Sequence, residues 1–238
     1  MKELNAKKGG ICMKLLKGQK VDITKARAIS DIVVTLDYSS GKKDMEIDGA
    51  AFLLEENGKC KGDEGFVFYG QPATADCSVR HTLNKRQNEI HIQLKTAPTH
   101  VQKIAFTLTI HEGEQRGHFF NQVTSSKMFI KDKRTGEIMY EFPFGEGLSR
   151  ETAIVVGELY RHNGEWKLNA IGSGFFGGLA ALCQNFGIEV KQEPAAPEIP
   201  PQTGIQGCYG PFFVANKWLL RLPYLFHVSL AGRLGKDK

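Results

Sequence analysis

Apolar and polar positions along this chain follow a period close to two over most of its length. Residues 31–38 (DIVVTLDY), 47–54, 66–69, 89–94, 101–110, 127–131 and 137–142 are β-branched or aromatic runs with partial alternation, the pattern of strands that bury one face. Turn chemistry separates them: Glu56-Asn57-Gly58-Lys59 and Arg134-Thr135-Gly136 supply turns, and Thr96-Ala97-Pro98-Thr99 a loop. No segment before Gly172 carries a helical stripe. Many short strands with short connections predict an all-β fold, a two-sheet antiparallel β-sandwich.

Two further runs, 155–162 and 165–171, flank Asn163-Gly164. Both residues tolerate positive φ, so the pair signals a tight hairpin. The second run then meets Gly172, Gly174, Gly177 and Gly178, and Leu179, Leu182, Cys183 and Phe186 follow at helical spacing before Gly187. The segment therefore predicts hairpin, glycine turn and a short C-terminal helix. Gly172, Gly174 and Gly177 also match GxGxxG, the spacing that lets backbone amides cradle a dinucleotide pyrophosphate. A dinucleotide fold needs a parallel strand next, whereas this chain runs into Glu193-Pro194-Ala195-Ala196-Pro197. A nucleotide binder or enzyme using the glycine turn is accordingly a secondary alternative.

Composition narrows the organisation. With 238 residues, 41% hydrophobic and 24% charged, the chain can bury one good core. Residues 1–12 are expected to be a leader or the product of an upstream start, 13–191 the domain, 192–204 a Pro-rich linker, and 205–238 an aromatic and basic tail. That tail carries a net charge of +4 of the chain's +5. The domain itself has no basic surplus, so nucleic acid is not an expected partner. Lys217, Arg221 and Pro223 interrupt the tail's apolar residues, which excludes a simple spanning helix and leaves peripheral contact with an anionic membrane face, or a fusion remnant. Five cysteines without CxxC spacing indicate neither a zinc knuckle nor a disulfide framework, and a cytoplasmic location is expected. No GxSxG, HExxH or paired acid and base marks an enzyme.

The stretch GELYRHNGEWKLNAIGSGFFGGLAALC at 157–183 resembles the TerD family of bacterial tellurite-resistance and stress-response proteins. Similar stretches occur in family order: LLKGQKVDITK at 15–25, DMEIDGAAFLL at 44–54, FVFYGQ at 66–71, VQKIAFTLTIHE at 101–112 and RETAIVVGELY at 150–160. The resemblance covers about 13–190 and implies a β-sandwich. It also implies calcium, because TerD-like proteins bring a DFDLD stretch near an acid-rich loop. Here Asp44-Met45-Glu46-Ile47-Asp48 matches the first. If those residues lie on one strand, Asp44, Glu46 and Asp48 face the same side.

The acid loop is where the chain departs from the family. After Asp76-Cys77-Ser78, with Cys77 at the family's glycine, the chain is several residues shorter and only Glu89 remains of the loop's acids. Lys85 and Arg86 add positive charge there. Glu112 stands at a further family acid. Calcium takes six to eight oxygens, so the candidate metal set Asp44, Glu46, Asp48, Glu89 and Glu112 fits at most one weak site, the other reading being a solvated sheet edge. The expected function is a non-enzymatic stress-response or tellurite-resistance protein whose partners are other such proteins. Its alternative is a metal-independent scaffold that binds protein partners or the inner membrane face.

Overall fold

Alternation becomes strand burial throughout the domain. The structure, a computed structural model, describes residues 12–25, 27–84 and 87–189. In β7 (Gln87–Gln93) the side chains are alternately half-buried and buried, with Asn88, Ile90 and Ile92 inside. In β12 (Glu165–Phe175) Trp166, Leu168 and Ala170 are buried in the same rhythm. The other strands are β1 (Met13–Lys14), β2 (Lys20–Asp22), β3 (Asp31–Ser40), β4 (Ile47–Leu54), β5 (Phe66–Val67), β6 (Val79–Asn84), β8 (Lys103–Ile110), β9 (Val123–Asp132), β10 (Ile138–Pro143) and β11 (Ala153–His162).

These strands form two six-stranded sheets, β1-β10-β9-β3-β7-β6 and β2-β12-β11-β8-β4-β5. All pairings are antiparallel except β1 with β10. Between the sheets lie Ile32, Val34 and Leu36 of β3, Ile90 of β7, Ile104, Phe106 and Leu108 of β8, and Leu168 of β12. Each such aliphatic or aromatic side chain contributes about 1.5–3 kcal/mol when fully removed from water. The predicted sandwich is the fold found.

The Asn163-Gly164 turn adopts φ 52° and 79° and pairs His162 with Glu165, as the hairpin signal predicts. Beyond it, β12 does not stop at Ile171. It continues through Gly172 and Gly174 to Phe175, and the turn falls at Phe176-Gly177 before α2 (Gly178–Phe186). The glycine segment is thus mostly strand, because pairing with β11 extends to Ala153↔Phe175. Helix α2 packs Leu182, Cys183 and Phe186 onto the outer face of the second sheet, where Phe186 meets Phe52, and Phe52 stacks on Phe66. This second apolar layer explains why β8 is buried on both faces. A single helical turn, α1 (Gly113–Arg116), follows β8. The expected linker 192–204 and tail 205–238, with residues 1–11 of the leader, lie outside the described residues.

Candidate functional site

Residues of β3, of β4 and the turn before it, and of the β6–β7 hairpin line a cleft of about 1210 Å³. Its walls include Tyr38, Ser40, Lys43, Asp48, Tyr69 and Leu83, and its floor holds His81 and Asn88. Asn88 is only 2% exposed and His81 6%. His81 Nε2 lies 2.8 Å from the Asn88 side-chain oxygen, Asn88 donates its amide to the Tyr38 hydroxyl at 3.3 Å, and Tyr38 donates to the Ile47 carbonyl at 2.5 Å. This chain of hydrogen bonds ties both sheets together across the cleft floor. Burial lowers the His81 pKa, with the Asn88 bond opposing it. The floor is therefore a neutral polar network, satisfied within the protein.

Gly49 makes that arrangement geometrically possible. A Cβ at this position would lie 2.6 Å from Asn88 Cβ and 2.5 Å from its Cγ. No other residue type lets β4 approach β7 so closely.

The five candidate metal ligands do not gather as one shell. Because β4 begins at Ile47, Asp44 sits in the preceding turn and not on the strand face with Asp48. Asp44 lies 3.4 Å from the buried His118 ring, and its backbone carbonyl accepts from the Arg116 guanidinium at 2.6 Å. Glu46 is 3.8 Å from the same guanidinium. Glu112, held at φ 48° before α1, faces His111 at 3.8 Å. Glu89 lies on the outer face of the first sheet, beside His91 at 3.7 Å and Lys131 at 3.9 Å; the inward Asn88 and Ile90 on either side of it fix that direction. Among the described residues, no three His, Cys, Asp or Glu side chains are grouped to hold a metal ion.

Asp48 is the exception in this corner. Burial raises its pKa first, His111 opposes, and Glu46 raises it further; no hydrogen bond to the carboxylate is among these influences. Its charge reaches both tyrosines of the cleft: burial and then Asp48 push the Tyr38 and Tyr69 hydroxyls up to about 12.

The glycine segment has a different character. Gly172 and Gly174 belong to an antiparallel strand rather than to a strand-to-helix phosphate loop, and the space beside Gly174 is taken by Glu151 and Leu148. The Gly177 amide at the start of α2 donates to the carboxylate of Glu114 at 3.1 Å. A side chain of the protein thus fills the place that a phosphate would need. Of the cysteines, Cys60 and, on α2, Cys183 are buried, and burial pushes both thiols up to about 12; such thiols are poor nucleophiles. Cys77 is exposed at φ 57°, a left-handed conformation that glycine adopts without steric cost. The residues that sequence reasoning missed are Tyr38, Tyr69 and Asn88. The available signal was Asn88, a polar residue on the inward phase of β7.

The sequence profile of the TerD domain matches residues 11–186. The chain belongs to the TerD family. It is 39% identical over 190 residues to the tellurium resistance protein TerD of Serratia marcescens, covering 74% of this chain and 98% of that protein. It is 39% identical to general stress protein 16U of Bacillus subtilis, covering 74% and 97% respectively, and 41% identical to the uncharacterized protein YceE of the same organism, covering 76% and 100%. Among solved structures, a homologue of the telluride resistance protein TerD from Streptomyces coelicolor A3(2) superposes with TM-score 0.50 over 65% of this chain and 95% of that one, at 16% identity. That likeness concerns the fold. By sequence, this TerD-family chain is a relative of tellurium-resistance and general-stress proteins. No helix of the described residues is long and apolar enough to cross a membrane.

Proposed function

We propose that this TerD-family protein is a non-enzymatic stress-response or tellurite-resistance factor that acts through protein partners and does not depend on calcium at the Asp44–Asp48 corner. One observation carries this reading: four of the five candidate carboxylates, all but Asp48, are already faced by Arg116, His118 or His111 or lie on another face of the sandwich. Calcium requires several oxygens directed at one point, and each of these four acids has a competing cationic or ionisable neighbour. The names of the relatives support the biological role. The partners we expect are other stress and tellurite-resistance proteins, and free cysteines fit a reducing, cytoplasmic setting.

Calorimetric titration of calcium into the metal-free full-length protein tests this reading. The expected result is no heat of binding and no thermal stabilisation at millimolar calcium. Saturable binding that vanishes in Asp48→Ala would overturn it in favour of a residual calcium site.

A further inference from the structure

The cleft beside Asp48 combines three features that no role assigned above uses. Its volume of about 1210 Å³ lies slightly above the roughly 300–1,000 Å³ usual for small-molecule sites, and far exceeds the space of a bare ion. Two of the five large apolar side chains left exposed among the described residues, Tyr69 at 47% and Leu83 at 64%, stand on its walls. The same cleft is lined by a carboxylate, Asp48, that is half-buried and receives no hydrogen bond from the described residues, the other charged groups on the lining being Asp37, Lys42, Lys43 and Glu46. Glu46, on the same wall, faces Arg116 instead.

A half-buried carboxylate without a partner is costly, and an opposite charge brought to it recovers part of that cost. The chemistry of the walls selects which cation. A divalent metal needs six to eight oxygens, and among the described residues the cleft offers two carboxylates outside an ion pair, Asp37 and Asp48. An ammonium or guanidinium group needs one carboxylate and a few hydrogen-bond acceptors, and its alkyl stem gains from aromatic and aliphatic contact. The nearness of Asp48 to both Tyr38 and Tyr69 supplies that pairing of anion and ring.

We infer that the cleft is a binding site for a small organic cation, a primary ammonium or guanidinium on a short apolar stem. Asp48 receives the charged head, Tyr69 and Leu83 cover the stem, and the His81–Asn88–Tyr38 network holds the floor rigid. This inference goes beyond the calcium-independent reading and stands apart from it: a protein that binds calcium elsewhere at this corner would still show the organic site.

The experiment is an NMR titration of the full 238-residue protein with n-butylammonium, ethylguanidinium and, as the neutral analogue, n-butanol. The expected outcome is saturable shifts of the Tyr38, Asp48 and Tyr69 signals with both cations, and butanol at least about tenfold weaker, since losing a charge-assisted hydrogen bond costs a decade or more in affinity. Asp48→Asn, which keeps shape, should lower cation affinity by about tenfold and leave butanol unchanged. Tyr69→Ala should weaken cations and butanol alike. A peptide bearing one lysine, compared with its acetyl-lysine form, separates a free amine from a protein side chain: equal affinity of the lysine peptide and butylammonium extends the site to partner proteins. Equal binding of butanol and butylammonium, unchanged affinity in Asp48→Asn, or displacement of butylammonium by sub-millimolar calcium would each overturn the proposal. Should Asp48→Asn fail to fold, the cation-to-butanol ratio on the unaltered protein decides the matter.

Discussion

Replacing Gly49 by alanine puts the packing of the cleft floor to a direct test. The added methyl would sit 2.5 Å from Asn88 Cγ and 2.8 Å from its side-chain oxygen, both of which a new rotamer can move. It would also sit 2.6 Å from Asn88 Cβ, which no rotamer moves, so β7 itself must retreat from β4. Overpacking of this kind costs about 1–3 kcal/mol. The displaced Asn88 would release His81 at 2.8 Å and Tyr38 at 3.3 Å, about 1 kcal/mol for each lost bond. Against this, alanine gains about 0.4–1 kcal/mol by restricting the unfolded chain. The net expectation is a loss of roughly 2–4 kcal/mol, read from the urea midpoint at unchanged m-value. The companion variant is Asn88→Gly, which removes the clashing Cβ. In that background Gly49→Ala should cost less than about 0.5 kcal/mol, a coupling that only neighbours show. In Asn88→Ala, which retains Cβ, most of the penalty should persist. A Gly49→Ala cost below about 0.5 kcal/mol in the otherwise unaltered protein, or an equal cost in the Asn88→Gly background, would refute the close approach of β4 to β7.

Two more outcomes follow from the geometry. Cys77→Gly relieves a left-handed residue at φ 57°; the steric relief of about 1–2 kcal/mol exceeds the glycine entropy cost of about 0.5–1 kcal/mol, so the urea midpoint should rise, and a fall would contradict the assigned turn. Burial lowers the His81 pKa from its ordinary 6.5, so the unfolded chain binds the extra proton: its contribution to stability is complete above about 6.5 and is lost as pH falls below that value, at up to about 1.4 kcal/mol per pH unit. His91, lowered by burial against the pull of Glu89, adds to the same limb. Asp48, raised from 3.8, works oppositely, its share being present below its unfolded value and lost as pH rises through the folded one. His81→Gln should flatten the acid limb in urea unfolding measured across this range, and an unchanged slope would show that His81 is not held neutral.

What could be read beforehand was whatever one-face burial writes into the chain. β4 has the bounds 47–54 that its sequence predicts, and the Asn163-Gly164 hairpin has its expected register. β1 and β2, two and three residues long and at sheet edges, are too short to carry a pattern. β6 alternates Val79, His81 and Leu83 on one side, but histidine and an exposed leucine at an open edge disguise it. Glycines at 172 and 174 look like a turn in sequence, yet the register with β11 keeps them in the strand. Of the candidate site, Asp48 was legible because it lies within a predicted strand. Asp44 and Glu46 were placed with it only by extending that strand backwards across a turn. Glu89 was drawn toward them by family resemblance, although the inward phase of Ile90 and Ile92 already directs it away. The tyrosines left no trace, since Tyr38 lies on β3 of the first sheet and Tyr69 just beyond β5 of the second, and only the packing of the two sheets brings them to one cleft.

The corner that holds acids in the TerD resemblance is held differently in this chain. β6 and β7 pair from Val79↔Ile92 to Asn84↔Gln87. The same hairpin inserts Asn88 over Gly49 and closes a hydrogen-bonded path from His81 to the Ile47 carbonyl. Neutral hydrogen bonds thereby fasten the first sheet to the second at an edge where an ion would need converging carboxylates. Such bonds contribute only about 1 kcal/mol each but leave buried groups costly to expose, so the join is firm without being ion-dependent. Asp48 lines the cleft next to this network and has no hydrogen bond or ion pair of its own among the described residues. Its place beside Tyr38 and Tyr69 on the cleft lining is what the proposed organic cation would use, one charged head and one apolar stem in place of the six to eight oxygens a calcium ion needs.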